Sequence, residues 1–495
     1  MSVNETALGS DEETLHRLGY AQELRRRMSG FSNFAVSFTI ISILSGCLTL
    51  YSYGMNTGGP SEIVWSWPFV GIMTLFVGLA MAEVTSSFPT AGGLYYFAAK
   101  LAPKNGAAWS WFTGWFNFLG QVAVTAGIDF GAAFTINAYL NLQFGMGFAP
   151  WQTILIFAIV LFVHGVLNQF GIKLVALLND ISVWWHVLGV LIIVAVLAFV
   201  PSHHQSASFV FTHFVNNTGW HSSLYVVLIG LLLAQYTFTG YDASTAGPRG
   251  IVMSIIVSLF AGWVLLIGVT YAIQHYAHEA LQPSTAAPAQ IFVDALGGAG
   301  GKLLLLIVIV AQLFCGMSSV TANSRMIYAF SRDGALPGSN LWHKVNKRTR
   351  TPTNAIWLAA GFALVLGLPD LWNPTAYAAV TSIAVIGLYV AYVLPTFLRL
   401  RQGASFQRGP WHLGRWSYVV GWIAVTWVAI ISILFILPTV SPITVANFNY
   451  TIVAVAVVIG FAGIYWLVSA RKWFHGPKVQ GTAEELAAIE HELSV

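Results

Sequence analysis

Charge is what this sequence has least of. Asp, Glu, Lys and Arg make up 8% of its 495 residues, where a soluble domain carries roughly 25%. That shortage excludes an ordinary soluble enzyme or binding module. The formal charge of +4 is too small to suggest a nucleic-acid surface, so no nucleic-acid partner is expected. Cysteine is nearly absent: Cys47 and Cys315 both sit in apolar runs, which argues against a disulfide framework and a thiolate metal site. The N-terminal stretch, with Asp11, Glu12, Glu13 and Arg25 to Arg27, lacks the apolar core of a cleavable signal peptide. No His-Glu-x-x-His, nucleophile elbow or pair of catalytic acids interrupts the apolar runs. Neither enzymatic activity nor a cofactor is expected.

What the chain has in excess is apolar length. Its residues are 57% hydrophobic, with a mean hydropathy of +0.71. Runs close to the ~20 residues needed to span a bilayer fall at about 34–53, 69–88, 108–130, 152–170, 176–200 and 222–242. Six more fall at about 251–273, 302–329, 354–371, 376–398, 418–437 and 450–469. The spacing predicts an all-α polytopic protein of twelve transmembrane helices, with the lipid bilayer as solvent. Nineteen Trp and eighteen Tyr suit the two aromatic belts at its surfaces. The connections are too short for a second globular domain. His203, His204, His213 and His221 lack ligand-like spacing beyond the adjacent pair, and read as a surface loop without a metal.

The basic residues orient the bundle. Every Lys and Arg except Lys302 lies at the termini or in an even-numbered connection. The positive-inside rule then places both termini in the cytoplasm of a protein of the cell membrane. The organisation expected is a cytoplasmic segment over 1–33, five spans over 34–200, five over 201–400, two over 401–470 and a cytoplasmic tail over 471–495.

Two apolar runs are broken by polar residues, which at membrane depth are tolerated only in a cavity or within protein. The sixth run ends in Gln235-Tyr236-Thr237-Phe238-Thr239-Gly240-Tyr241-Asp242, and the first contains Ser42-Ile43-Leu44-Ser45-Gly46. Paired broken helices point to a transporter's binding site. Unwinding at Ser45-Gly46 would expose amides backed by a helix dipole, suited to a carboxylate. Unwinding at Thr237–Gly240 would free carbonyls suited to an ammonium. Together they describe a zwitterion pocket, to which Gln121 in the third run and Ser319 in the eighth could add polar contacts. His186 in the fifth run is titratable near neutral pH and is a candidate coupling residue, pointing to protons rather than sodium. Glu83 lies within reach of the cytoplasmic surface, where snorkelling accounts for it. Asp129 falls near the outer end of the third run, where it reads as a structural cap.

With these residues in hand, the chain resembles the amino acid–polyamine–organocation superfamily, and most nearly its amino acid/choline transporter branch of GABA and amino acid permeases. The likeness covers nearly all of residues 15–475. It rests on Thr57-Gly-Gly59, Pro89-Thr-Ala-Gly-Gly-Leu-Tyr95, Tyr236-Thr-Phe-Thr-Gly-Tyr-Asp242, Ala246-Gly-Pro-Arg-Gly-Ile251 and Ser324-Arg-Met-Ile-Tyr-Ala-Phe-Ser-Arg-Asp-Gly-Ala-Leu-Pro337. The resemblance implies a LeuT-type fold: spans 1–5 and 6–10 as inverted repeats, broken helices 1 and 6, and two added helices. It implies that the amides of Ser45 and Gly46, with carbonyls near Ser42, hold a substrate carboxylate. The carbonyls of Tyr236 and Thr239 would hold the amine, Phe238 would form the aromatic gate, Gly240 would belong to the substrate site, and Asp242 would serve coupling or gating. Asn179 to Val187 follows a fifth-span pattern in which some proton-coupled relatives carry lysine where His186 stands.

One departure is large. In such relatives about ten more helical residues follow Tyr-Asp, whereas here only Ala243 to Gly247 separate Asp242 from Pro248. Ten helical residues span about 15 Å, so most of the inner half of span six is missing. The function expected is a secondary transporter of an amino acid, GABA or a related amine, coupled to protons and working by alternating access. The alternative that the shortened helix favours is a relative that senses an amino acid without transporting it.

Overall fold

The computed structural model describes residues 30–88, 93–147, 149–243, 247–281 and 286–478. Pro89 to Gly93 reads as a turn by its chemistry and the polar tail over 484–493 as a short helix; apart from Gly93, both lie outside these residues. Among the described residues, eleven helices are long and apolar enough to cross a membrane, and the shorter apolar stretch Phe34–Thr49 makes a twelfth. The protein is an all-α polytopic membrane protein. Strand is confined to Thr57–Gly58 paired antiparallel with Val215–Asn216, which pins the 201–221 connection to the start of the second span.

The helices fall where the apolar runs predict, and differ at their polar ends. The second span begins at Gly59 and the third runs on from Gly106 to Phe144. Hydropathy reports only the lipid-immersed part of a helix, and Asn137, Asn141 and Gln143 continue the third span beyond it. Asp129 is therefore four turns from that helix's end, in its buried middle, and is not the terminal cap expected. Lipid-facing sides read as apolar rows at helical spacing, such as Leu155, Ile159 and Phe162 on the fourth span and Leu177, Ile181, Trp184, Leu188 and Leu191 on the fifth. In a bilayer such rows are solvated by lipid tails and need no protein partner.

Charges at the arginine-rich end are folded inward. Glu83 is buried and does not snorkel: its Oε2 lies 3.3 Å from Arg399 Nε, and the amide of Leu413 donates to Oε1 at 3.2 Å. The Ser417 hydroxyl donates to Oε2, and the Arg399 guanidinium lies over the rings of Phe406 and Tyr418. One carboxylate thus clasps the ends of spans two, ten and eleven. Asp333 is also buried, and takes a hydrogen bond of 2.7 Å from the Tyr95 hydroxyl of the interfacial helix Gly93–Leu101. At the opposite end, Glu279 on the short helix Tyr276–Ala280 accepts the amides of Gln274 and His275 at 3.1 and 3.3 Å.

Removing one partner of a buried ion pair strands the other. Arg399→Ala is expected to destabilise the protein by about 3–5 kcal/mol, and Glu83→Gln/Arg399→Met to recover most of that loss, both read from melting in detergent. Burial raises the Glu279 carboxyl to about 7, against the pull of its two amide partners. Because that exceeds the ~4.3 of an unfolded glutamate, the fold binds the proton more tightly. Its contribution is therefore present at low pH and lost as pH rises through 7. Glu279→Gln keeps the acceptor oxygen and removes the charge. It should melt with the wild type near pH 4 and above it at pH 8.

Candidate substrate site

The first span stops being a helix at Ser42. That residue has φ 36° and ψ 79°, a left-handed conformation that costs a non-glycine residue roughly 1 kcal/mol or more and persists only when held. His186 holds it. The ring is fully buried, and its Nδ1 lies 2.8 Å from the Ser182 carbonyl oxygen. A carbonyl only accepts, so Nδ1 carries the hydrogen and Nε2 is left to accept from the Ser42 hydroxyl at 2.7 Å. The Thr39 hydroxyl donates to Ser182 Oγ at 2.9 Å. A neutral imidazole thus joins the break to the fifth span.

The break falls three residues before the Ser45-Gly46 step where the sequence places it. The amides of Ser45 and Gly46 both donate to the Ser42 carbonyl, at 2.9 and 2.8 Å, inside the first turn of Ile43–Thr49. Gly46 has another reason to be glycine. A Cβ there would lie 2.4 Å from Thr237 Cγ2, so the two broken helices touch at this point and leave no space for a side chain.

The sixth span runs as Ser223–Gly230 and Leu232–Thr237, then leaves the helix at Phe238. Gly240, at φ +86°, turns the chain against Ile40. One 3₁₀ turn follows, Tyr241–Ala243, and the next described helix starts at Pro248. Among the described residues, that single turn stands where an inner half-helix would begin. The backbone groups released here are largely taken. The Thr239 hydroxyl donates to the Tyr236 carbonyl at 2.8 Å, the Tyr389 hydroxyl donates to the Phe238 carbonyl, and the Gly240 amide donates to the Tyr392 hydroxyl at 3.2 Å. The Phe238 ring packs on Trp67 with centroids 4.5 Å apart. The Tyr236 hydroxyl is buried against Gly127 of the third span.

A polar layer closes the arginine-rich side of the breaks. Asp242 accepts the Tyr392 hydroxyl at 2.6 Å and the Gln121 amide nitrogen at 3.1 Å, and the Ser37 hydroxyl donates to the Tyr241 carbonyl at 3.1 Å. On the opposite side a cavity of about 280 Å³ opens between the outer half of the first span and the start of the tenth, lined among others by Leu50, Tyr53, Asn56, Thr218, Thr375 and Tyr377.

The structure therefore gathers Ser42, Ser45, Gly46, Tyr236, Phe238, Thr239 and Gly240 around the two breaks, with His186 joined through Ser42. Gln121 and Asp242 form the closing layer. Ser319 bonds Thr125 at 2.8 Å, a contact between the third and eighth spans shared with Asn323. Sequence reasoning assigned no role to Thr237, Trp67, Tyr389 or Tyr392. The two tyrosines sit at i and i+3 on an apolar helix, a spacing that core packing produces as readily as a site.

A family model described as "Amino acid permease" matches residues 28–460. An amino-acid permease named BAT1 from Arabidopsis thaliana is 44% identical, the alignment covering 95% of this chain and 96% of the plant protein. Its homolog in rice is 45% identical over 94% of each. A GABA-specific permease of Saccharomyces cerevisiae is 31% identical over 94% of this chain and 86% of its own.

The contact between the breaks is directly testable. Gly46→Ala is expected to cost about 1–3 kcal/mol by overpacking, and adding Thr237→Gly to restore much of it. Melting temperatures of the single and double variants decide the point.

Proposed function

The chain belongs to the amino acid permease family, and from that premise we propose that it is a secondary transporter of an amino acid, GABA or a related amine. The observation that carries this reading is the meeting of two broken helices at Gly46 and Thr237, deep in the bundle, with the next residue, Phe238, packed on Trp67 and its carbonyl taken by Tyr389. Such breaks present oriented backbone dipoles where a zwitterion's two charged groups need them. The carboxylate takes the Ser42–Gly46 side and the amine the Tyr236–Thr239 side. Because the carbonyls of Tyr236 and Phe238 already have hydroxyl partners, a bound ammonium displaces the Thr239 or Tyr389 hydroxyl from them.

The arrangement supports alternating access between spans 34–200 and 201–400, with both termini in the cytoplasm of the cell membrane. Its closed layer at Asp242, Tyr392 and Gln121 faces the arginine-rich end, and the cavity faces the other, as expected of an outward-facing carrier. Proton coupling follows from His186. A proton arriving at Nε2 turns an acceptor into a donor, so the Ser42 hydroxyl must rotate and the strained break changes its hold. A second reading, an amino-acid sensor without transport, is favoured by one feature: only Ala243 to Gly247 separate Asp242 from Pro248.

Counterflow in proteoliposomes with labelled L-alanine and GABA separates the two. Exchange of internal for external label is expected. Substrate-dependent thermal shifts without any counterflow would assign the protein as a sensor. In the same vesicles His186→Ala is expected to reduce the dependence of uptake on pH while leaving binding largely intact, and a profile unchanged from wild type would remove His186 from coupling.

A further inference from the structure

The polar network described so far leaves one titratable pair unused. Asp129 of the third span and His164 of the fourth are both buried, and His164 Nδ1 lies 3.1 and 3.2 Å from the two carboxylate oxygens. The other titratable groups facing Asp129 are Tyr236 of the sixth span and Cys315 of the eighth. Tyr377 of the tenth reaches the same stretch through its hydrogen bond of 3.1 Å to the Gly127 carbonyl. Among the described residues no lysine or arginine joins the group. Gly316 of the eighth span closes over the pair: a Cβ there would lie 1.7 Å from Asp129 Oδ1 and 2.8 Å from His164 Cε1. Asn168 fixes the histidine's helix by donating to the His164 and Met317 carbonyls at 2.9 and 3.1 Å.

Electrostatics restricts what this pair can be. An uncompensated carboxylate in a bundle core costs several kcal/mol, so the closed pair holds one proton, as carboxylate with imidazolium or as acid with imidazole. Either form is neutral overall. Giving the proton up leaves one negative charge, which is tolerable only once water reaches the site. Proton release is thereby tied to opening of the bundle. Two hydroxyls stand between the cavity and the pair: Tyr377 lines the cavity and donates to the Gly127 carbonyl, and Tyr236 lies against Gly127 and feels the charge of Asp129.

We propose that Asp129 and His164 form a second proton-binding site of the carrier, loaded from the outer cavity past Tyr377 and Tyr236. The proton comes from water on that side, resides between Nδ1 and the carboxylate, and returns to water when the opposite side opens; no bond to substrate is made. The proposal rests on the reading of this protein as a proton-coupled transporter.

The test uses full-length protein in proteoliposomes with an internal pH-sensitive dye, probed with labelled L-alanine and GABA. Asp129→Asn is expected to lower proton-driven accumulation at least about tenfold more than it lowers counterflow. His164→Gln should move the midpoint of the uptake pH profile. Gly316→Ala keeps both groups and forces them apart, and should move that midpoint too. A purely structural pair would lower counterflow, accumulation and melting temperature together and leave the midpoint in place, which overturns the assignment. If Asp129→Asn does not fold, an unmoved midpoint in both His164→Gln and Gly316→Ala overturns it equally. A wild-type protein that exchanges substrate but never acidifies the vesicle overturns proton coupling itself, and the site with it, an outcome distinct from failure in the variants alone.

Discussion

A helix that stops inside a bilayer must find partners for its released amides and carbonyls without help from water. Side chains supply most of these partners. Tyr389 and Tyr392 of the tenth span take the Phe238 carbonyl and the Gly240 amide, the Thr239 hydroxyl folds back on the Tyr236 carbonyl, and the Cys315 thiol of the eighth donates to the Ile40 carbonyl at 3.3 Å, while His186 of the fifth fixes the Ser42 side chain. The tenth span is consequently as much a part of the break in the sixth as the sixth is. Its tyrosines supply the hydrogen bonds that the absent inner half-helix would have made within itself. The same residues seal one end of the bundle through Asp242.

The two ends of the molecule manage charge differently. At the arginine-rich end, Glu83 and Arg399 neutralise each other within protein, and the aromatic rings of Phe406 and Tyr418 cover the guanidinium. Several elements are thereby fixed to one another near the closed layer. At the other end the cavity wall mixes hydroxyls and amides such as Asn56, Thr218 and Thr375 with apolar residues such as Leu50, Pro374 and Val440, and among the described residues carries no charged side chain. A firmly clasped base and an uncharged mouth suit a bundle at rest with its mouth accessible.

Much of this was legible in the sequence because membrane physics leaves a coarse record. Twelve apolar runs and the placement of basic residues gave the count and the expected orientation, and the polar stretches of runs one and six gave the breaks. The shortened connection after Asp242 was read from residue count alone. Less was legible wherever a residue's role depends on a neighbour from a distant span. Gly46 signals flexibility to a reader of one helix, yet it is glycine because Thr237 presses on it. Glu83 has the position of a snorkelling residue, but Arg399, more than three hundred residues away, captures it. Asp129 was misplaced because hydropathy ended its helix early, and nothing in the spacing of Asp129 and His164 announces that they meet. Tyr389 and Tyr392 were silent for the same reason.

The single 3₁₀ turn after Gly240 also bears on how fast the closed end can respond. A half-helix of about ten residues acts as a lever of roughly 15 Å, and swinging it is a collective motion on the microsecond to millisecond scale. Here the barrier is a phenol and a carboxamide meeting one carboxylate. Both side chains are buried and hydrogen-bonded, so releasing them means breaking two bonds to one carboxylate within packed protein rather than swinging a lever.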